Sequence, residues 1–172
     1  IINTVAPAAV NVTTDTITGE YGVGELIELK VLFDSPVTAT GIPWIELNAI
    51  NVNSKMHCRA NYTGVDPASN NHTLIFSYLV REGDTSDVDD IGFPHWALTP
   101  HLGIRNETIY FEGAGSSIKR LADIPTTDAS TSLASSRAVF NTGQNITIDT
   151  AVPALDTTFG IQAHADNVSE TI

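Results

Sequence analysis

The stretch "ELIELKVLFD", residues 25–34, decides the fold. In it Ile27, Leu29, Val31 and Phe33 alternate with Glu28, Lys30 and Leu32, the period of a β-strand with one buried face rather than that of a helix. Two further runs repeat the pattern. "KMHCRANYTG" (55–64) sets Met56, Cys58, Ala60 and Tyr62 on one face and His57, Arg59 and Asn61 on the other, and "TLIFSYLV" (73–80) groups Leu74, Phe76, Tyr78 and Val80. Turn-forming residues at Asp34-Ser35-Pro36, Gly41-Ile42-Pro43 and Glu82-Gly83-Asp84 punctuate the runs. No amphipathic helical stripe stands out. The expected fold is an all-β antiparallel sandwich.

Composition fits a folded unit outside the cell. A chain of 172 residues with 42% hydrophobic and 16% charged residues can bury one core. The net charge of −12, with eight scattered Lys and Arg, repels nucleic acid and anionic membrane surfaces. No apolar run is long enough to span a bilayer, and neither end carries a basic-then-apolar leader, so direct membrane insertion is not expected and the chain reads as a mature segment. Cys58 is the lone cysteine, which rules out an internal disulfide; it is read as a small buried side chain, with an intermolecular bridge as the alternative.

Asparagine gives the compartment. Six of the 12 Asn stand in N-x-S/T sequons, namely Asn11, Asn61, Asn71, Asn106, Asn145 and Asn167. With 33 Ser and Thr in the chain, chance would place about two there. The excess points to covalent N-glycans and an extracellular or cell-surface location. Strand alternation turns Asn61 away from Cys58, Ala60 and Tyr62, sets Asn11 between Val10 and Val12, and sets Asn145 on the face of Thr147, so all three are expected to point outward.

A phrase recurs. "IINTVAPAAV" (1–10) and "NITIDTAVPAL" (145–155) align at Pro7 and Pro153, matching also at Ile2 with Ile148, Thr4 with Thr150 and Ala8 with Ala154. Such an offset suggests one structural period followed by the start of the next.

The stretches "ITGEYGVGELIELKVLFDSPVTATGIPWIELN", "ANYTG", "HTLIFSYLVREGDTSDVDD" and "NITIDTAVP" together carry a family resemblance. The chain resembles the tandem immunoglobulin-like or cadherin-like β-sandwich repeats of large microbial and algal extracellular surface proteins. The shared pattern is Tyr-Gly-x-Gly, a strand, a Ser-Pro-Val turn, a Leu-x-Phe-x-Tyr strand with Gly-Asp, and an Ile-Asp-Thr-x-x-Pro linker. It covers most of 17–90 and 144–153 and breaks between about 91 and 144. The resemblance implies extracellular architecture or adhesion and brings no catalytic residues. The density of sequons is also similar to that of glycosylated extracellular fibril subunits.

Two segments follow from this reading: a sandwich repeat over 1–153, and a tail over 154–172 that begins or complements the next unit. The tail is too short for a core of its own, and Leu155, Phe159, Ile161, Val168 and Ile172 are its candidate assembly residues. The expected partners are copies of the chain itself, joined head to tail into a filament. Weaker candidates remain. Asp84, Asp87 and Asp89, with Asp149 at the linker where cadherin-like repeats place calcium, supply hard oxygen ligands, but without EF-hand spacing. The segment 124–136 is rich in Ser and Thr with little to bury; it reads as a surface loop or as a site of O-glycans on Thr126, Thr127, Ser130, Thr131 and Ser132.

An enzyme is not expected. His57, His72, His95, His101 and His164 lack HExxH spacing, and no G-x-S-x-G elbow or phosphate-cradling glycine loop occurs. Trp44, Trp96 and Tyr110 give the alternative function, an adhesin or carbohydrate-binding surface module that stacks on sugars.

Overall fold

A computed structural model describes residues 5–86, 101–121 and 127–151. The elements in chain order are β1 (Ala9–Thr13), β2 (Gly19–Tyr21), β3 (Leu26–Phe33), β4 (Val37–Asn51), β5 (Met56–Val65), β6 (Thr73–Leu79), β7 (Asp84–Thr85), β8 (Ile104–Arg120), α1 (Ala134–Gly143) and β9 (Ile146–Ile148). The described residues are thus mostly strand. The main sheet is antiparallel in the order β1-β3-β6-β5-β4, with β8 beside most of β4 and β7 beside its last residues. A short parallel pair joins β2 to β9.

The alternation in residues 25–34 has the expected consequence. Ile27, Leu29, Val31 and Phe33 are all buried, and burying each such side chain stabilises the fold by about 1.5–3 kcal/mol. From β6, Leu74, Phe76, Tyr78 and Val80 enter the same core, as do Cys58 and Ala60 from β5. Met56 does not: it is 67% exposed, because β5 begins there, beyond the edge of the core. Tyr62 is half-buried, packed against the core with its ring edge-on to Phe76. Ile45 and Leu47 of β4 join Ile104, Ile109 and Ile118 of β8 in this one cluster, so strands from both ends of the sheet share a core.

Gly41-Ile42-Pro43 is not a turn but lies inside β4. Gly41 has φ 71°, and the β4–β8 register shifts between Thr40 and Ile42, where Gly113 and Gly115 give β8 positive φ values of its own. A Cβ on Gly41 would come within 2.8 Å of Ser116 Cα, so glycine is required by both conformation and space. Ser116 Oγ accepts from Ile42 N at 3.1 Å and donates to Glu112 O at 2.5 Å, which stitches the bulge.

The sequence reading contained no helix, and α1 corrects it. Leu133 at its N-terminus, Ser136 and Phe140 are buried, spaced as one helical face. Asn141 locks the helix to β8: its Oδ1 accepts from Ile104 N at 2.7 Å and its Nδ2 donates to Ile104 O at 2.9 Å. The Ser/Thr-rich segment before it also differs from a plain surface loop with little to bury. Leu133 is fully buried, Ala129 N donates to Ile118 O, and Ile109 N donates to Thr131 O, so residues 127–133 run along β8.

The recurring phrase occupies two different places. Residues after Pro7 enter β1, paired with β3 near Phe33, and Asp34 N donates to Ala8 O at 3.0 Å. The later copy forms β9, with Ile146 and Ile148 buried between β2 and the segment at Ser86 and Leu102. From there Asp149 N donates to Tyr21 O and Gly83 N donates to Thr150 Oγ1.

Candidate functional site

The outer face of the sheet carries a cross-strand row. Ser77 of β6 lies opposite Asn61 of β5, Asn61 opposite Trp44 of β4, and Trp44 opposite Tyr110 of β8. Residues paired in register share a face, and Ile45, Ala60 and Ile109 beside them point into the core. The Trp44 and Tyr110 rings stack at 4.6 Å between centroids with 22° between planes. Arg59 lies over the Trp44 ring at 5.6 Å and is held by Glu112 at 2.6 Å.

Asn61 is half-buried in this row. Its Oδ1 is enclosed without a hydrogen-bond partner among the described residues. The sequon hydroxyl of Thr63 is shared with Ser77 Oγ at 2.9 Å.

The other sequons differ. Asn71 is exposed at φ 63°, and Asn145 is exposed just before β9. Asn106 is half-buried, and its Nδ2 donates to Glu46, the carboxylate that also faces Arg105. Asn11 is half-buried. The expectation that Val10 and Val12 share its opposite face fails, because a register shift between Ala9 and Asn11 leaves Val10 49% exposed against 2% for Val12. Asn167 lies outside the described residues.

Among the acidic residues read for calcium, Asp84 is buried. Its Oδ2 accepts from Tyr78 OH at 2.9 Å and Arg81 N at 2.8 Å, and its Oδ1 accepts from Asn51 Nδ2 at 2.7 Å. That carboxylate is spent on the fold, a role the sequence reading missed. Asp149 is exposed, and its Oδ1 accepts from Ala151 N at 2.8 Å. It lines an open recess of about 340 Å³ with Val52, Asn53, Glu82 and Thr150. Asp87 and Asp89 lie outside the described residues. Among the described residues no three His, Cys, Asp or Glu side chains converge as a metal site.

Cys58 is buried against Tyr78 and Asp84, and burial pushes its thiol up to about 12. Burial likewise raises the Tyr78 phenol, which faces Cys58 and Asp84. Neither is poised as a nucleophile. At the opposite end of the sheet, Lys30 bridges Asp15 and Asp66, the latter at 3.3 Å, and the two carboxylates raise its pKa.

Of the O-glycan candidates, Thr127, Ser130 and Thr131 are half-buried and Ser132 is exposed; Thr126 lies outside the described residues. Ser130 Oγ accepts from Ser132 N and Ser132 Oγ from Ala134 N, both at 3.3 Å, as turn-forming hydroxyls do. Trp96 and the tail residues Leu155, Phe159, Ile161, Val168 and Ile172 are also outside the described residues. Among the described residues, no helix is long and apolar enough to cross a membrane. No protein family, curated protein or solved structure was found to match this chain.

Proposed function

We propose that this chain is a structural unit of a glycosylated extracellular filament or surface stalk, an immunoglobulin-like or cadherin-like sandwich joined head to tail to copies of itself. One observation carries the reading: the two copies of the recurring phrase attach at opposite ends of β3. The incoming chain is held beside Phe33 and Asp34, while the outgoing chain is held by Tyr21 and Gly83. Gly24 N donates to Val80 O, which ties that second end to the start of β3. Eight strand residues separate the two ends by about 24 Å. A unit whose inlet and outlet lie at opposite ends can add on head to tail, which builds a filament when the rotation between copies does not close into a ring.

The shared core of β1, β3, β4 and β8 supports the sandwich description. The exposed sequons Asn71 and Asn145 support a coat of N-glycans. The function is then mechanical, with strands bearing load along the axis and sugars hydrating the surface and screening sheet edges. Secretion of the chain from a glycosylating host, followed by glycopeptide mass measurement and direct imaging, tests this. Filaments with sugars at Asn71 and Asn145 are expected; an unmodified protein that stays monomeric at high concentration would overturn it.

A further inference from the structure

We propose that the first sugar of an N-glycan on Asn61 lies across the Trp44–Tyr110 stack, so that this glycan is a packed part of the sheet's outer face. The proposal rests on the reading of Asn61 as a glycosylated residue. Its geometry comes from the register: Trp44 stands directly opposite Asn61, and directly opposed residues on one face have Cβ atoms about 4.5–5.5 Å apart. Whatever is joined to Nδ2 therefore starts within reach of the indole. Asn61 alternates with the fully buried Ala60, which sets its side chain on the outer face, where a sugar has room.

The chemistry of the surface suits a pyranose. A β-linked N-acetylated sugar presents a face of C–H bonds and a rim of hydroxyl and amide groups. Tyr110 is stacked on Trp44 and Arg59 lies over the indole, so it is the solvent-open part of this half-buried stack that offers apolar surface to the C–H face. Arg59, fixed by Glu112 at 2.6 Å, offers N–H donors to the rim. Asn106 has its nitrogen engaged by Glu46, and Asn11 faces Leu32 rather than an aromatic ring. Among the described sequons that lie in strands, this juxtaposition is particular to Asn61.

The test uses the full chain secreted with its glycans and trimmed enzymatically to the first sugar. Urea unfolding is compared for four proteins: wild type and Trp44→Leu, each with Asn61 carrying one sugar or replaced as Asn61→Gln. In the wild-type background the sugar should raise the folded-to-unfolded ratio by about two- to tenfold, the range of a stacked ring contact, and in Trp44→Leu the ratio should be unchanged. Should Trp44→Leu not fold, acrylamide quenching of Trp44 fluorescence in a Trp96→Phe protein decides, with the sugar expected to slow quenching. A sugar present on Asn61 but equally stabilising in both backgrounds, or without effect on quenching, overturns the stacking and leaves the glycosylation reading standing. An unmodified Asn61 in the secreted protein overturns both.

Discussion

Asp84 shows how much a single buried carboxylate can organise. Three donors converge on it from Tyr78, Arg81 and Asn51, and its own carbonyl accepts from Thr150 Oγ1 at 2.8 Å, so one residue ties β5's neighbours to the outgoing chain. Removing the carboxylate orphans those donors. Asp84→Ala should destabilise by about 3 kcal/mol or more in urea unfolding, and Tyr78→Phe by about 1–2 kcal/mol. The neighbouring thiol predicts a pH effect. Cys58 is an acid whose folded pKa is raised from 9.0 to about 12, so the folded state prefers the neutral thiol. The corresponding stability is full below about pH 9 and is lost as pH rises toward 12. Native protein at pH 8 should therefore resist alkylation that is rapid in urea; equal rates would contradict the burial. The burial of Cys58 was legible from its strand parity. The role of Asp84 was not, because an Asp after Glu-Gly reads as a solvated turn until Tyr78 and Asn51 are seen to close over it.

At the scale of elements, legibility followed the parity of apolar residues. β3 and β6 keep strict alternation and were read correctly, whereas β8 does not. Its buried Ile104, Ile109 and Ile118 stand at odd spacings, because a register shift and the Gly113–Gly115 kink each set five residues of β8 against two of β4 and so flip the parity of the core face. α1 escaped for another reason. Its buried stripe holds Ser136 between Leu133 and Phe140, too few apolar positions to raise a helical period above a Ser/Thr-rich background. The helix depends on anchors rather than on amphipathicity, which makes two predictions. Phe140→Ala should cost about 3–5 kcal/mol of unfolding free energy. Asn141→Ala, which strips both hydrogen bonds from the Ile104 backbone, should cost about 1–3 kcal/mol and speed amide exchange at Ile104. Gly41→Ala should destabilise by more than about 1 kcal/mol, since a Cβ there meets Ser116 at φ 71°. A neutral Gly41→Ala would mean that the bulge does not form.

For the whole molecule, the relation between the recurring phrase and the two ends of β3 makes a structural prediction. Because Pro7 and Pro153 align, joining residues 1–153 of one copy to residues 8–172 of another preserves the phrase and lets the second copy start where the first leaves off. The outgoing chain departs near Gly83 and the incoming chain arrives near Asp34, so the second unit should sit beyond the first along the β3 direction. The net charge of −12 on each copy further opposes side-by-side packing, most strongly at low ionic strength. Small-angle scattering of the fused pair should show a maximum dimension longer than that of the single chain by at least the roughly 24 Å span of one strand. The added length should persist at low salt, and the two units should unfold with the midpoint of one. If the fused pair is hardly longer than the single chain, the copies fold back beside each other, and the head-to-tail filament is wrong at its first step.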